Sequence, residues 1–302
     1  MNYLQSLAKT LKQTLNSIQV DKSMASNLYL NRYCTVKGME DAWEDDLDIA
    51  GPGLASLKPE GQEITPGTIM EGVKWRYIAR TYAIKCQASR ELLADGKYEK
   101  AIDMQRFNRE AIMLTCEYLA ATMLINRDDS SYLGGDGVTL GSASHPVTRG
   151  GTYSNILSTP AGPSTGALEQ VMQNLMVLPG RDGLIRPVMP KAVVHPASQM
   201  GAWRTVLESE KDPAAGNFSA INTARGNDFT YRNVTVPFWQ GADNDWAVLT
   251  DMGDGLIWRW REKPASNSWV DWNVLVTNFI YHMRVAYGWS DPRGIYFGGS
   301  GS

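Results

Sequence analysis

The chain has 302 residues, of which 43% are hydrophobic and 20% charged, and a formal net charge of −3. That length and apolar content allow a large core, in one elaborate domain or two interleaved ones. The slightly acidic balance gives no general reason to bind nucleic acid or an acidic membrane, and leaves only a local basic surface open. Cys34, Cys86 and Cys116 are odd in number, far apart and set in apolar or strand-like contexts. They read as reduced, buried thiols rather than a disulfide framework, which suits assembly in a cytoplasm.

At the N-terminus, Leu4, Leu7, Leu11, Leu15 and Ile18 fall at helical spacing, with Lys9, Lys12 and Gln13 between them. This predicts a short amphipathic helix ending near Asp21, whose apolar stripe docks on its own core or lies on a neighbouring subunit. The opening MNYLQSLAKTLKQTL lacks a cationic start followed by a continuous apolar segment, so it reads as mature sequence and not as a secretory signal. Residues 40–48, EDAWEDDLD, carry six acids, and GPG at 51–53 breaks any helix. We read this stretch as a solvated arm and linker.

From residue 60 to 86, turn chemistry around Pro66 and Gly67 gives way to VKWRYIARTYAIKC, which alternates with a period near two. The pattern predicts an extended hairpin with Trp75, Tyr77 and Ala79 on one side and Lys74, Arg76, Ile78 and Arg80 on the other. Two strands alone bury too little to offset their ordering entropy, so the hairpin must lie on something else. An adjacent subunit is one support, with Trp75 as a contact to it and Glu44, Asp45 and Asp46 of the acidic stretch meeting Arg76 and Arg80. Ser89 caps the short turn RELLAD, and Gly96 breaks it.

Lys97 to Arg127 contains no Gly or Pro and predicts one helix of about 30 residues, about 45 Å long. Met104, Phe107, Ala111, Leu114, Tyr118, Ala121 and Ile125 form one stripe, expected to be its buried face with Phe107, Leu114 and Tyr118 in the core. Ile112, Thr115, Leu119 and Thr122 form a second, mixed stripe beside it. A free coiled coil should carry flanking charges, yet Glu117 is the only charge between Ala111 and Ile125. The apolar run of about 15 residues is shorter than the roughly 20 a membrane span requires.

DDSSYLGGDGVTLGSASHP then supplies turns. Gly135, Gly137 and Gly141 do not make a phosphate loop, because no strand–Gly–helix order and no GK[ST] surround them. Residues 163–178 place Leu168, Val171, Met172, Leu175 and Met176 on one helical face, with Ser164 or Thr165 as cap. Ala192–His195 reads as a short buried strand, followed by a helix bearing Met200, Trp203 and Leu207. YRNVTVPFWQ and DWAVLTD are strand candidates, and GLIWRWRE is expected to pair with WVDWNVLVTNFIYHMRVAYGW across a turn at KPASNS. GGSGS is a flexible tail. The fold class is α+β.

No constellation carries obvious chemistry. His145, His195 and His282 are far apart, with neither HExxH nor CxxC, so no metal or other cofactor is expected. Ser142 and Ser144 beside His145 lack the GxSxG elbow of a hydrolase. The seven tryptophans from Trp239 to Trp289 invite sugar stacking, but their spacing follows strand alternation and favours packing. A Ser144/His145 hydrolase and a glycan-binding module are therefore the weaker readings.

The order of these parts, with SSYLGGDGVTLGSASHPVTRGGTYSN after the helix and RVAYGWSDPRGIYFG near the end, resembles tailed-phage major capsid proteins of the Hong Kong 97 fold, most nearly the Mu-like head subunits. The resemblance implies an N-terminal arm at 1–57, an extended β-hairpin loop at 58–88, and a peripheral domain at 89–150 with spine helix 97–127. It further implies an axial domain at 151–250, then peripheral return strands and a tail at 251–302. It implies self-assembly into hexamers and pentamers of an icosahedral shell around double-stranded DNA, read without sequence specificity, and no active site. The implied location is the virion capsid, assembled in host cytoplasm, with no membrane partner. Portal and decoration proteins are further implied partners, and a separate scaffolding protein fits because only about 57 residues precede the loop. A Lys–Asn crosslink, as in some relatives, has Lys58, Lys74 and Asn267 available. An encapsulin-like cargo compartment shares the implied fold.

Overall fold

The computed structural model describes residues 28–64, 66–94, 98–212, 220–225, 232–240 and 244–299. The Leu4–Ile18 stripe and the GGSGS tail beyond Gly299 lie outside them. Two four-stranded sheets and a projecting strand pair organise the fold, with a small second pair, β5 (His145–Pro146) and β6 (Thr152–Tyr153), in the turn after the long helix.

The first sheet runs β1 (Thr35–Gly38), β10 (Ile257–Asp271), β11 (Val276–Gly288) and β4 (Arg80–Ser89). β10, β11 and β4 are antiparallel, and β1 joins the edge in parallel. The expected turn at KPASNS is absent: β10 runs straight through it, with register shifts between Trp260 and Ala265, and the chain turns at residues 272–275. Pro264 is tolerated because β1 pairs only with residues 257–260, which leaves the rest of β10 on an open edge where a missing N–H costs no ladder bond. Leu275 takes the left-handed conformation at the turn (φ 52°).

Ser89 Oγ accepts from the Leu92 N–H at 3.2 Å and starts α1 (Arg90–Ala94). The long helix α2 (Tyr98–Ile125) has 28 residues, about 42 Å, and packs on β4 and β11. Its buried face differs from the expected one. Phe107 is 62% exposed, Leu114 48% and Tyr118 51%, whereas Ile112, Cys116, Ala120, Met123 and Leu124 are buried together with Gln105 and Asn108. From the expected stripe only Ala121 is buried and Ile125 packs against the core, while from the mixed stripe Ile112 is buried and Leu119 packs against it. Small side chains bring the helix close to the sheet, and Asn108 bridges the gap, accepting from Cys86 Sγ at 2.8 Å and donating to Phe279 O at 3.4 Å. Bulk alone pointed to the wrong face.

The second sheet runs β12 (Ile295–Phe297), β9 (Ala247–Thr250), β7 (Pro190–Pro196) and β8 (Arg232–Val236). β12, expected with the return strands, therefore closes the edge of this sheet. β7 is buried along nearly its whole length because both its faces are covered. Ala192 and Val194 face the core shared with α2 and the first sheet. Val193 faces a second core under α3 (Thr165–Met176) and α4 (Met200–Glu208), which contains Leu168, Val171, Leu175, Trp203 and Trp246. Ser164 caps α3 from Ala167 N, as the sequence suggested. The second sheet thus separates two cores, and buried Arg127 ties the end of α2 to Asp245 and Gly299 O.

Candidate assembly surface

A projecting arm is built from β2 (Trp43–Ala50) and β3 (Met70–Ile78), antiparallel and joined by the loop 51–69. The expected hairpin partner of β3 was β4. Instead the chain breaks at Ala79, whose N–H bonds Ala42 O at 3.0 Å, and β4 enters the first sheet. The acidic stretch 40–48 supplies β2 and is not a linker. Acids have poor strand propensity, and here fixed cationic partners on both faces override it.

Alternation sends Glu44, Asp46 and Asp48 toward the body and Asp45 outward. Arg259 of β10 donates to Glu44 Oε2 at 2.5 Å and to both Asp46 oxygens at 2.6 Å. Ser290 Oγ donates to Asp46 at 2.7 Å and meets Tyr77 OH at 2.5 Å. Arg181 Nε lies 2.8 Å from Asp48, close enough for an ion pair but without hydrogen-bond alignment. Arg181 also reaches Asp291 at 3.2 Å, and Arg293 grips the same carboxylate bidentately at 2.9 and 2.6 Å. Trp75 is 4% exposed; the Arg181 guanidinium lies 5.1 Å from its ring centroid. A Cβ on Gly135 would stand 2.3 Å from Lys74 O, so the glycine run is the seat on which β3 rests.

These surroundings set the charges. Burial pushes the Asp48 carboxyl up, and Arg181 only partly offsets it. Burial acts the same way on Asp291, but the Arg293 and Arg181 guanidinium groups outweigh it and hold the acid below its ordinary range. Hydrogen bonding from Arg76 holds Asp45 low. Burial disfavours the Arg259 cation, yet Asp46 and Glu44 hold its pKa above the ordinary value.

The acidic and basic residues singled out in the sequence do meet, but within one chain. Asp45 pairs with Arg76 at 2.7 Å and with Lys74 at 2.5 Å, while Glu44 and Asp46 are taken by Arg259. Trp75 is an internal anchor and is too buried to touch a neighbour. Arg80 is exposed on β4, in a different sheet from Arg76. Arg181, Arg259, Ser290 and Asp291 were not anticipated. Arg259, set between two tryptophans in IWRWR, was the available signal, since a cation in a buried strand needs a partner.

The outer end of the arm is apolar and unprotected: Leu54 is 82% exposed, Leu57 92%, Ile64 72% and Ile69 66%. The β10–β11 tip likewise exposes Trp272 at 76% and Val274 at 61%. Trp269 is also exposed, at 42%, and the remaining terminal tryptophans, Trp239, Trp246, Trp258, Trp260 and Trp289, are buried. His145 is fully buried, its ring held by Asp136 at 2.8 Å, Asn155 at 3.2 Å and Leu140 O at 3.3 Å, and stacked on Tyr153. Ser144 Oγ lies 3.5 Å from Ser142 Oγ, and His145 serves as a packing post for the turn. Among the described residues no group of three or more His, Cys, Asp or Glu is arranged to hold a metal ion. All three cysteines are free thiols, with Cys34 and Cys116 buried and Cys86 half-buried. No described helix is long and apolar enough to cross a membrane.

The fold is similar to those of solved structures from phages. Mycobacterium phage Bobi gives a TM-score of 0.54 at 12% identity, covering 91% of each chain. Gordonia phage Cozz gives 0.54 at 10% identity, covering 89% of this chain and 84% of that one. Mycobacterium phage Adephagia gives 0.53 at 12% identity, covering 90% and 89%. No curated protein matches the sequence. The family model described as phage capsid protein matches residues 76–297, which take in β4, α2, both cores and the residues that anchor the arm. With most of its length matched by that model, the chain belongs to the phage capsid protein family.

Proposed function

We propose that this capsid subunit builds an icosahedral phage head in the Hong Kong 97 manner, as hexamers and pentamers enclosing double-stranded DNA, assembled in the host cytoplasm. The β2–β3 arm serves as the extended loop. The first sheet with α2 serves as the peripheral domain, and the second sheet with α3 and α4 as the axial domain. Kinship with Mu-like head subunits rests on the sequence of the glycine-rich turn and of the C-terminal segment.

One observation carries the reading. The arm is ion-locked to its own body at the base, while its outer loop presents Leu54, Leu57, Ile64 and Ile69 to solvent. Apolar side chains gathered on an exposed loop mark a surface that another protein covers. Subunits of a shell supply that surface to one another, and Arg76 and Arg80 keep exposed sides for the same contact. A scaffolding protein, a portal and decoration proteins are the further partners of such a head.

The cargo is the feature to test. Particles purified after nuclease treatment should hold protected double-stranded DNA. Particles holding a co-purified enzyme and no DNA would overturn the head reading in favour of a cargo compartment.

A further inference from the structure

We infer that the chain's own N-terminal segment, Leu4–Ile18, docks on the exposed face of α2 formed by Phe107, Ala111, Leu114 and Tyr118. This goes beyond the shell reading and does not rest on it. The four residues recur at spacings of 4, 3 and 4 and make one stripe about 16 Å long. Phe107, Leu114 and Tyr118 are about half or more exposed, and Tyr118 leans edge-on against Phe238 at 5.0 Å.

The chain outside the described residues starts beside this stripe. Glu117 lies one residue from Tyr118 and is buried, and its carboxylate accepts the backbone N–H groups of Tyr29 at 2.5 Å and Leu30 at 3.1 Å. Residue 28 is thereby pinned to the flank of α2, with Leu28 itself buried. The ten residues from Ile18 to Leu28 reach at most about 35 Å, twice the length of the stripe. Wound at its own helical spacing, Leu4–Ile18 offers an apolar stripe about 21 Å long, enough to cover Phe107 through Tyr118.

Paired cysteines test the docking in the full-length chain. Leu7→Cys or Leu11→Cys, each combined with Leu114→Cys, should oxidise to an intrachain disulfide, seen as faster migration at monomer mass on a non-reducing gel. The yield should not depend on protein concentration. Disulfide-linked dimers that grow with concentration would overturn own-chain docking and make the segment a link between copies. In parallel, trypsin should cut at Lys9 and Lys12 at least several-fold faster in Leu114→Asp than in wild type, with Leu114→Ser as the milder variant should the charge impair folding. Equal cleavage rates in a folded variant, or no crosslink at either pair, would also overturn the proposal.

Discussion

Arg259 is the residue on which the arm's attitude depends. Its guanidinium is 7% exposed and meets Glu44 and Asp46, whose side chains retain 26% and 29% of their surface. Arg259→Leu leaves Asp46 with only Ser290 and Glu44 with only the Glu40 N–H, and removes the cation from both acids. We expect a loss of about 2 kcal/mol in urea denaturation, below the roughly 3–5 kcal/mol of a fully buried pair because water still reaches the acids. Asp45→Asn, on the outer side of the same strand, should leave the urea midpoint unchanged. Gly135→Val should destabilise more than either, since its side chain would enter the space held by Lys74 O. Acid should release the arm. Asp291 is held below its ordinary value of 3.8, so its contribution is complete above that pH and is lost as pH falls through its lower folded-state value. Asp48 and Glu117 are shifted upward and act in the opposite sense, favouring the fold at low pH and losing that contribution as pH rises. A urea midpoint that drops below pH 3.8, less steeply in Asp291→Asn, is the expected profile. No drop below pH 3.8, or an equal drop in Asp291→Asn, would contradict these assignments. At this scale the sequence was partly legible: strand alternation placed Trp75 and Tyr77 together on the buried side of β3, and the complementary charges of 40–48 and 74–76 do pair. It could not show that the pairing lies within one chain, because charge complementarity does not specify which copy supplies the partner.

The element scale turns on α2. Its length and continuity were legible from the absence of Gly and Pro, but its buried face was not. The helix carries apolar residues around much of its girdle, and packing against β4 and β11 selects small side chains that allow close approach, with Asn108 bonded across the gap. Aspartate at Ile112 or Cys116 should therefore prevent folding by placing an unpaired charge in the core. Leu114→Asp and Tyr118→Asp should give soluble, helical protein by circular dichroism. The reverse outcome would restore the stripe read from the sequence. The sheets follow the same lesson. β7 and β9 were legible as short apolar runs, β8 by its alternation, and the helices α3 and α4 by single apolar faces, with a serine cap on α3. The strand through KPASNS was hidden because Pro, Ser and Asn signal turns unless an edge tolerates them. β1 and the strand role of 43–50 are set by partners 20 or more residues away in sequence, as in Trp43↔Ile78.

At the scale of the whole molecule, the second sheet divides the core in two, and the arm is held to both halves. Arg259 comes from the first sheet, Arg181 from the loop after α3, and Ser290 and Asp291 from the segment between the sheets. Such a base fixes the direction of an arm whose outer loop is tied to the body at its ends, where Arg149 donates to Gly51 O and Thr68 O, and leaves Leu54, Leu57, Ile64 and Ile69 exposed. The shell-forming role was legible in the sequence through the order of its parts, and matching residues 76–297 to the phage capsid protein family bears it out. Particle formation through the arm tip can be read directly by negative-stain microscopy of the purified chain beside the Leu54→Asp/Leu57→Asp double variant. Wild type should form closed shells or ring-shaped capsomers, and the variant should remain folded by circular dichroism yet give neither. A wild type that stays monomeric at every concentration, or a variant that assembles as readily as wild type, would contradict it.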